Sequence, residues 1–404
     1  MAISLSDVSS ALKKVLLPYV RDNFPKQTIL LDQVKRNSGT TFMNDNFYVP
    51  LRTSRNAGVV NLASDTAKLR NGSATIGQAS TPVRTATGTF EISKLAIAAT
   101  NSSKGSVESM LRFQADSLMT DFSRSVNRQF MGDGSGIVAY VGTALGTAAG
   151  TAIPVTSVNP VNGDIHAVKY IAPGAVLEIG TAIGTVSSVV DGGSVGTINV
   201  TSSITPGTAD LAINFVDGDN ADAAEFNGLD LFIGTGGTFQ GLARATTPQW
   251  EGQLGTLAGG TLTINGMTQK HLAAAQYAMA GDRYALFANQ TPYAAYGNAL
   301  VGYRRDVNTR ELIGGWTGLE FAAGQKPIGM FLDYDTPEGR VMGVNLDSVT
   351  VGEVEPMNWE SDPSSDQPLL RRVDYLTYQA VMHYFAQFIA LGPASNWKIT
   401  GIVG

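Results

Sequence analysis

The chain contains no cysteine. Disulfides, thiolate metal sites and cysteine nucleophiles are therefore excluded. Histidine is nearly as scarce: His166, His271 and His383 are the whole supply among 404 residues. None has the i, i+4 spacing of a zinc-binding helix, and no HExxH occurs. GxxxxGK[ST] is absent too, so no P-loop is present. Charge is thin: 15 % of residues are Asp, Glu, Lys or Arg, against a usual share of about 25 %. A surface so poor in charge is expected to touch other protein over much of its area. The net charge of −6 argues against a chain whose main work is gripping nucleic acid. No apolar run approaches the ~18 residues of a membrane helix. The N-terminal stretch MAISLSDVSSALKKVLLPYV lacks the basic-then-apolar order of a signal peptide. The expectation is a soluble, non-secreted protein with no membrane contact and no cofactor.

What is present is a sequence of distinct textures. Residues 5–20 read as a short amphipathic helix, with Leu5, Val8, Leu12, Val15 and Leu16 at helical spacing and Pro18 limiting it. It either packs on its own domain or serves as an arm that docks on a neighbouring subunit. Phe47–Ile92 then reads as one long hairpin, with strand-like ends at 47–52 and 84–92 and a wide tip rich in Gly, Ser and Thr. A lone two-stranded hairpin is marginal in water, so such an arm needs something to lie on. From Arg52 to Arg84 the charged residues are Arg52, Arg55, Lys68, Arg70 and Arg84 against Asp65, a net of +4 that leaves −10 for the rest. A basic arm on an acidic body is complementary to another copy of that body. The plainer alternative is a solvated loop. Nucleic-acid binding by the arm is disfavoured, because no aromatic residue lies between Tyr48 and Phe90 for bases to stack on.

SVESMLRFQADSLMTDFSRSVNRQFMG carries the strongest helix signal, with Val107, Met110, Leu111, Leu118, Met119, Phe122, Val126 and Phe130 mostly at threes, fours and sevens. Ser106 reads as its N-cap. The helix runs into QFMGDGSGIV, whose glycines invite a phosphate-loop reading. A dinucleotide loop needs GxGxxG between a strand and the start of a helix. Here the spacing is GxGxG at a helix's C-terminal end, where the dipole repels phosphate. Gly132 is expected at the left-handed C′ position, with Asp133, Gly134 and Gly136 turning the chain.

From Ile137 to Gly218 only six charged residues appear, and short alternating runs such as AVLEIG and GTINV are separated by turns. This predicts a small all-β module, a barrel or sandwich. Beyond Asn227 the pattern predicts helices at 263–280 and 291–305, a buried strand at 284–290, a hairpin over 327–347 turning at Pro337 and Gly339, and strands through the aromatic-rich stretch 371–403. The fold class is α+β. The acidic clusters Asp217, Asp219, Asp222, Glu225 and Asp333, Asp335, Glu338 fail the calcium-loop pattern and read as solvated turns. Asn71–Gly72–Ser73, Asn101–Ser102–Ser103 and Asn199–Val200–Thr201 match a glycosylation sequon, which carries no weight without a secretory signal. Lys68 is a conceivable donor for an isopeptide crosslink, with no partner identified. No catalytic residue and no metal ligand is assigned.

The order of these parts resembles the major capsid proteins of tailed double-stranded DNA bacteriophages, with the Hong Kong 97-like fold. FYVPLRTSRNAGVVN resembles the opening of the family's extended E-loop, and TATGTFEISKLAI the strand that returns from it. The long helix with its Gly-Asp-Gly-x-Gly turn resembles the spine helix and its end. FQGLARATTPQW (239–250) resembles the segment that usually follows that turn closely, and the stretch through Gly392–Pro393 and Lys398–Gly401 resembles a closing P-domain strand. The resemblance implies an N-terminal arm at 1–40, an E-loop hairpin with flanking strands at 41–100, and a spine helix and turn at 103–136. An inserted β domain at 137–226, a return segment at 227–250, an A-domain at 251–345 and closing P-domain strands at 346–404 would follow. It implies a structural virion protein, made in the host bacterial cytoplasm, that assembles with itself as hexamers and pentamers around the genome without sequence-specific DNA binding. Arg52, Arg55, Lys68, Arg70 and Arg84 would be the E-loop's contacts. Many relatives begin with a scaffolding segment; here the arm starts almost at Met1, so a separate scaffolding protein, or none, is expected, besides a portal and a decoration protein that the insert would help or replace. An encapsulin-like compartment shell shares the fold and is the alternative. A carbohydrate-binding surface protein using the β module is a third reading.

Overall fold

The computed structural model describes residues 29–37, 41–62, 64, 67–94, 104–142, 150–156, 167–180, 182–204, 211–216, 225–278, 283–302, 309–312, 316–323, 326–361, 370–372 and 375–403. The expected helix at 5–20, His166, and Asp217, Asp219 and Asp222 lie outside them. The chain divides into two compact units, one of residues 1–50, 78–128 and 350–389, the other of residues 51–77, 129–349 and 390–404.

The first unit is built on the 14-residue strand Thr377–Ala390. Its aromatic and β-branched side chains suit a pleated surface covered on its faces, and Met382, Tyr384, Ala386 and Phe388 are fully buried. On one side it pairs antiparallel with Arg84–Ser93, in unbroken register from Thr377 opposite Ser93 to Ala386 opposite Arg84. On the other it neighbours Val349–Trp359, which pairs in parallel with Lys35–Asn37. Tyr384 Oη donates to Glu353 Oε1 at 2.7 Å, tying these strands beneath the surface. The helix Lys104–Met131 packs its middle turns on Arg84–Ser93: a Cβ on Gly88 would lie 3.0 Å from Phe122 and 3.1 Å from Leu118. Its buried residues Ala115, Met119, Phe122 and Val126 follow a 4–3–4 spacing, one face of an α-helix. At 28 residues it is about 42 Å long. The helix begins at Lys104, so Ser106 lies within it and is not the N-cap.

The hairpin reading needs correction. Asn46–Arg52 does not pair with Arg84–Ser93. Its partners are Thr41–Met43 and Ile76–Pro82, in a three-stranded sheet. The return strand breaks at Val83 and its second half, Arg84–Ser93, is claimed by the 14-residue strand. Asn44 and Asp45, both at positive φ, make the tight turn from Thr41–Met43 into Asn46–Arg52.

In the second unit, residues 137–215 form a closed barrel of six strands, 137–141, 150–156, 176–179, 182–190, 195–204 and 212–215. Its core, including Val141, Ile153, Val155, Leu177, Ile179, Ile198 and Ile213, is drawn wholly from within the barrel. Closure leaves no sheet edge to protect. Lys169 Nζ donates to Tyr334 O, linking the barrel to the 333–336 turn.

The unit also holds a seven-stranded mixed sheet in the spatial order 253–260, 397–402, 341–345, 284–288, 326–332, 316–323 and 309–312. Helices Ile264–Ala275 and Gln290–Gly302 supply Met267, Ala274, Ala295 and Tyr296 to its core. One expectation fails here. The strands Lys326–Leu332 and Val341–Asn345 are not a hairpin, because Tyr284–Ala288 lies between them, parallel to the first and antiparallel to the second. Four buried residues in a row mean that both faces of this strand are covered, as for an interior strand of a sheet. The last strand, Trp397–Ile402, joins this sheet beside Gln253–Gly260.

Candidate assembly surface

Residues 53–75 connect Asn46–Arg52 to Ile76–Pro82 and contain neither helix nor strand among the described residues. Their base is pinned. Thr53 N donates to Thr75 O at 2.9 Å, and Thr75 N donates to Ser54 Oγ at 2.8 Å. Arg52 Nε donates to Ser54 O at 3.0 Å. Farther out the two limbs touch at a pair of glycines. A Cβ on Gly72 would lie 2.0 Å from Gly58 N, while Gly58 N donates to Asn56 Oδ1 at 2.8 Å. Only glycine fits such a crossing.

Arg52, Arg55, Lys68 and Arg70 are all exposed on this segment. Arg84 belongs to the other unit, half-buried at the start of Arg84–Ser93. Between the cations stand exposed apolar side chains, Val59 at 87 % and Leu69 at 76 %, with Val60 and Leu62. A cationic surface with bare aliphatic side chains is costly to leave in water and suited to meeting another surface.

The glycine turn sits where the helix stops. The helix ends at Met131, and the left-handed residues are Gly134 and Gly136, at φ 77° and 76°, not Gly132. Asp133 Oδ1 accepts from Ser135 N at 3.0 Å, closing the turn from within. The helix end is then met by the chain returning from the barrel. Phe226 N donates to Gln129 Oε1 at 3.2 Å, Asp230 N donates to Gly132 O at 3.1 Å, and the Phe226 ring packs edge-on to Phe130 with centroids 5.1 Å apart. A Cβ on Gly228 would meet Gly132 O at 2.2 Å. The two ends of the barrel segment therefore meet.

Two buried polar clusters lie just beyond. Lys398 Nζ donates to Asp230 Oδ1 at 2.7 Å and to Asp230 O at 2.8 Å, and Arg340 pairs with Asp230 Oδ2. Burial alone would raise the Asp230 pKa, but Arg340 and Lys398 together outweigh it and hold the carboxyl below its ordinary value. The cluster joins the short helix Leu229–Phe232 to two strands of the seven-stranded sheet. Arg244 does similar work in 239–250: its guanidinium donates to Leu231 O at 2.6 Å and Trp250 O at 3.3 Å and lies 4.7 Å from the Phe239 ring centroid. Sequence reasoning passed over both clusters. The available signal was a lone Lys398 within the apolar run WKITGI.

The residues searched for chemistry are scattered. His271 is buried in the core, edge-on to Tyr284, and burial lowers its pKa. His383 lies between Glu355 and Glu360, at 3.2 and 3.3 Å. Gly192–Gly196 spells GxSxG, a match the sequence reading overlooked. It spans a hairpin turn between two barrel strands, not the strand-to-helix elbow that exposes a nucleophile. Asp333, expected in a solvated turn, is buried, and its Oδ1 accepts from Asp335 N at 2.9 Å. Among the described residues no three His, Asp or Glu side chains gather as a metal site, and no helix is long and apolar enough to cross a membrane.

No protein-family model and no curated protein matches the sequence. Solved structures do. The chain is similar to a protein of the cyanophage A-1(L) capsid asymmetric unit, with a TM-score of 0.51 and 13 % identity, covering 96 % of this chain and 93 % of that one. It is also similar to the capsid of a native GTA particle, at TM-score 0.46 and 10 % identity over 94 % and 91 % of the two chains. An encapsulin complex from Synechococcus elongatus PCC 7942 gives TM-score 0.46 and 7 % identity over 92 % and 86 %. The cyanophage match shows the fold: a mixed α+β, strand-rich phage capsid fold.

Proposed function

We propose that this chain is a major capsid protein, and that many copies assemble as hexamers and pentamers into an icosahedral shell around double-stranded DNA. The observation that carries this reading is the extent of the cyanophage match, which spans nearly all of both chains. The shared fold is thus that of the whole subunit and not of one module. The work is structural. The unit built on Thr377–Ala390 and the long helix corresponds to the P-domain with its spine, the seven-stranded sheet to the A-domain, and residues 53–75 to the tip of the E-loop.

In this reading Arg52, Arg55, Lys68 and Arg70 meet a neighbouring subunit, with Val59 and Leu69 supplying the apolar part of the contact. Arg84, on the strand Arg84–Ser93, is the fifth contact. The turn of Gly132, Asp133, Gly134 and Gly136 lets the barrel leave and re-enter the fold at one point. The barrel is an insertion: its core is self-contained and its ends meet at the helix terminus. A separate scaffolding protein, a portal and a decoration protein are the further partners, and the virion is the destination.

The contents of the particles test this. Shells from phage-infected cells, treated with nuclease and then opened, are expected to release protected double-stranded DNA. Particles that hold an enzyme and no DNA would overturn the reading in favour of a compartment shell.

A further inference from the structure

The described residues contain three Asn-Gly pairs: Asn71–Gly72, Asn227–Gly228 and Asn265–Gly266. Such a pair can react without an enzyme. The glycine backbone nitrogen attacks the asparagine side-chain carbonyl carbon, a C–N bond forms, and ammonia leaves. Water then opens the cyclic imide at either carbonyl, giving aspartate or isoaspartate; the net change is water taken up and ammonia released. The step needs an unengaged glycine N–H and freedom for the asparagine side chain to swing onto it. Glycine favours it because no Cβ shields the nitrogen.

The fold separates the three pairs. Gly266 N donates to Thr263 Oγ1 at 3.1 Å in the first turn of Ile264–Ala275, so its N–H is engaged. Gly228 is buried and Asn227 half-buried, and the short helix Leu229–Phe232 starts directly after them. Asn71 and Gly72 are both exposed, in the stretch without helix or strand, and no hydrogen bond engages Gly72 N among the described residues.

We propose that Asn71 is a site of spontaneous deamidation, converting to aspartate and isoaspartate in the folded chain. The site also lies where the change has consequences. It puts a negative charge among Arg52, Arg55, Lys68 and Arg70. The isoaspartate product adds a methylene to the main chain immediately before Gly72, at the crossing where a Cβ would already be 2.0 Å from Gly58 N. Resting on the capsid reading, conversion lowers the assembly competence of ageing free subunits.

The test incubates the purified full-length chain at neutral and mildly alkaline pH. Conversion is followed by peptide-mapping mass spectrometry, with isoaspartyl methyltransferase labelling. The expected result is an amide-to-acid mass gain at Asn71, several-fold faster than at Asn227 or Asn265, faster at higher pH, and abolished by Asn71→Ser. No gain at Asn71 while an unstructured peptide of the same local sequence converts would overturn the proposal. So would equal gain at all three pairs. Conversion with undiminished shell yield would overturn the assembly consequence alone, whereas failure of freshly made chain to assemble would count against the capsid reading and not against the site.

Discussion

At the scale of single residues, the fold depends on polar groups that are buried and satisfied. Asp230 holds two cations in a water-poor site, and removing one partner from such a cluster leaves the others uncompensated. Asp230→Asn is expected to cost about 3–5 kcal/mol, read as a lower urea midpoint at neutral pH. The acid limb gives a second reading. The folded Asp230 carboxyl titrates below its ordinary value of 3.8. Its contribution is therefore complete above that value and is lost as pH falls through the lower folded one. Wild type should lose stability in that acid window by an amount the Asn variant does not show. An Asn variant with the wild-type midpoint and acid slope would contradict this account. The lone Lys398 in WKITGI hints at a buried cation, but its partner does not show in sequence, because Asp230, Arg340 and Lys398 are far apart along the chain and pairing is a tertiary fact. The glycine turn was more legible. Its place at a helix end follows from the spacing, but which glycine turns left-handed depends on Asp133 closing the turn onto Ser135, and that moved the positive φ to Gly134 and Gly136.

At the scale of elements, periodicity served where an element's own pattern decides its form and failed where partners decide it. The long helix shows its buried stripe in the sequence, and Val176–Ile179 and Val195–Ile204 occupy the alternating runs AVLEIG and GTINV. Strand pairing is different. Nothing local told Arg84–Ser93 to leave its expected hairpin partner, nor placed Tyr284–Ala288 between two strands that look like a hairpin. Both choices bury apolar faces that only the assembled sheet supplies. The barrel's core is local, and this gives a prediction: residues 137–216 expressed alone should show a β-type circular dichroism spectrum and a cooperative thermal transition. A featureless spectrum would mean that the barrel needs the 333–336 turn and the helix end to fold. For the arm, the triple reversal of Arg52, Arg55 and Arg70 to Glu should leave the monomer's melting temperature within a few degrees, since exposed charges contribute ~0–1 kcal/mol each. Shell yield should nevertheless collapse, because like charges would face the acidic body of a neighbour. Shells at normal yield would remove these residues from the contact.

At the scale of the whole molecule, composition speaks to association more than to fold. Few charges, a basic segment on an acidic remainder and exposed aliphatic side chains on that segment are what the proposed contact between copies would draw on. The order of parts carried the resemblance to phage capsid proteins, and the near full-length likeness to the cyanophage A-1(L) capsid chain supports a mixed α+β phage capsid fold. The most direct measurement is light scattering with negative-stain imaging of the purified chain, alone and co-expressed with a neighbouring scaffold gene. Closed shells of uniform size in the megadalton range are the predicted result. A well-behaved monomer or dimer under both conditions would contradict the account.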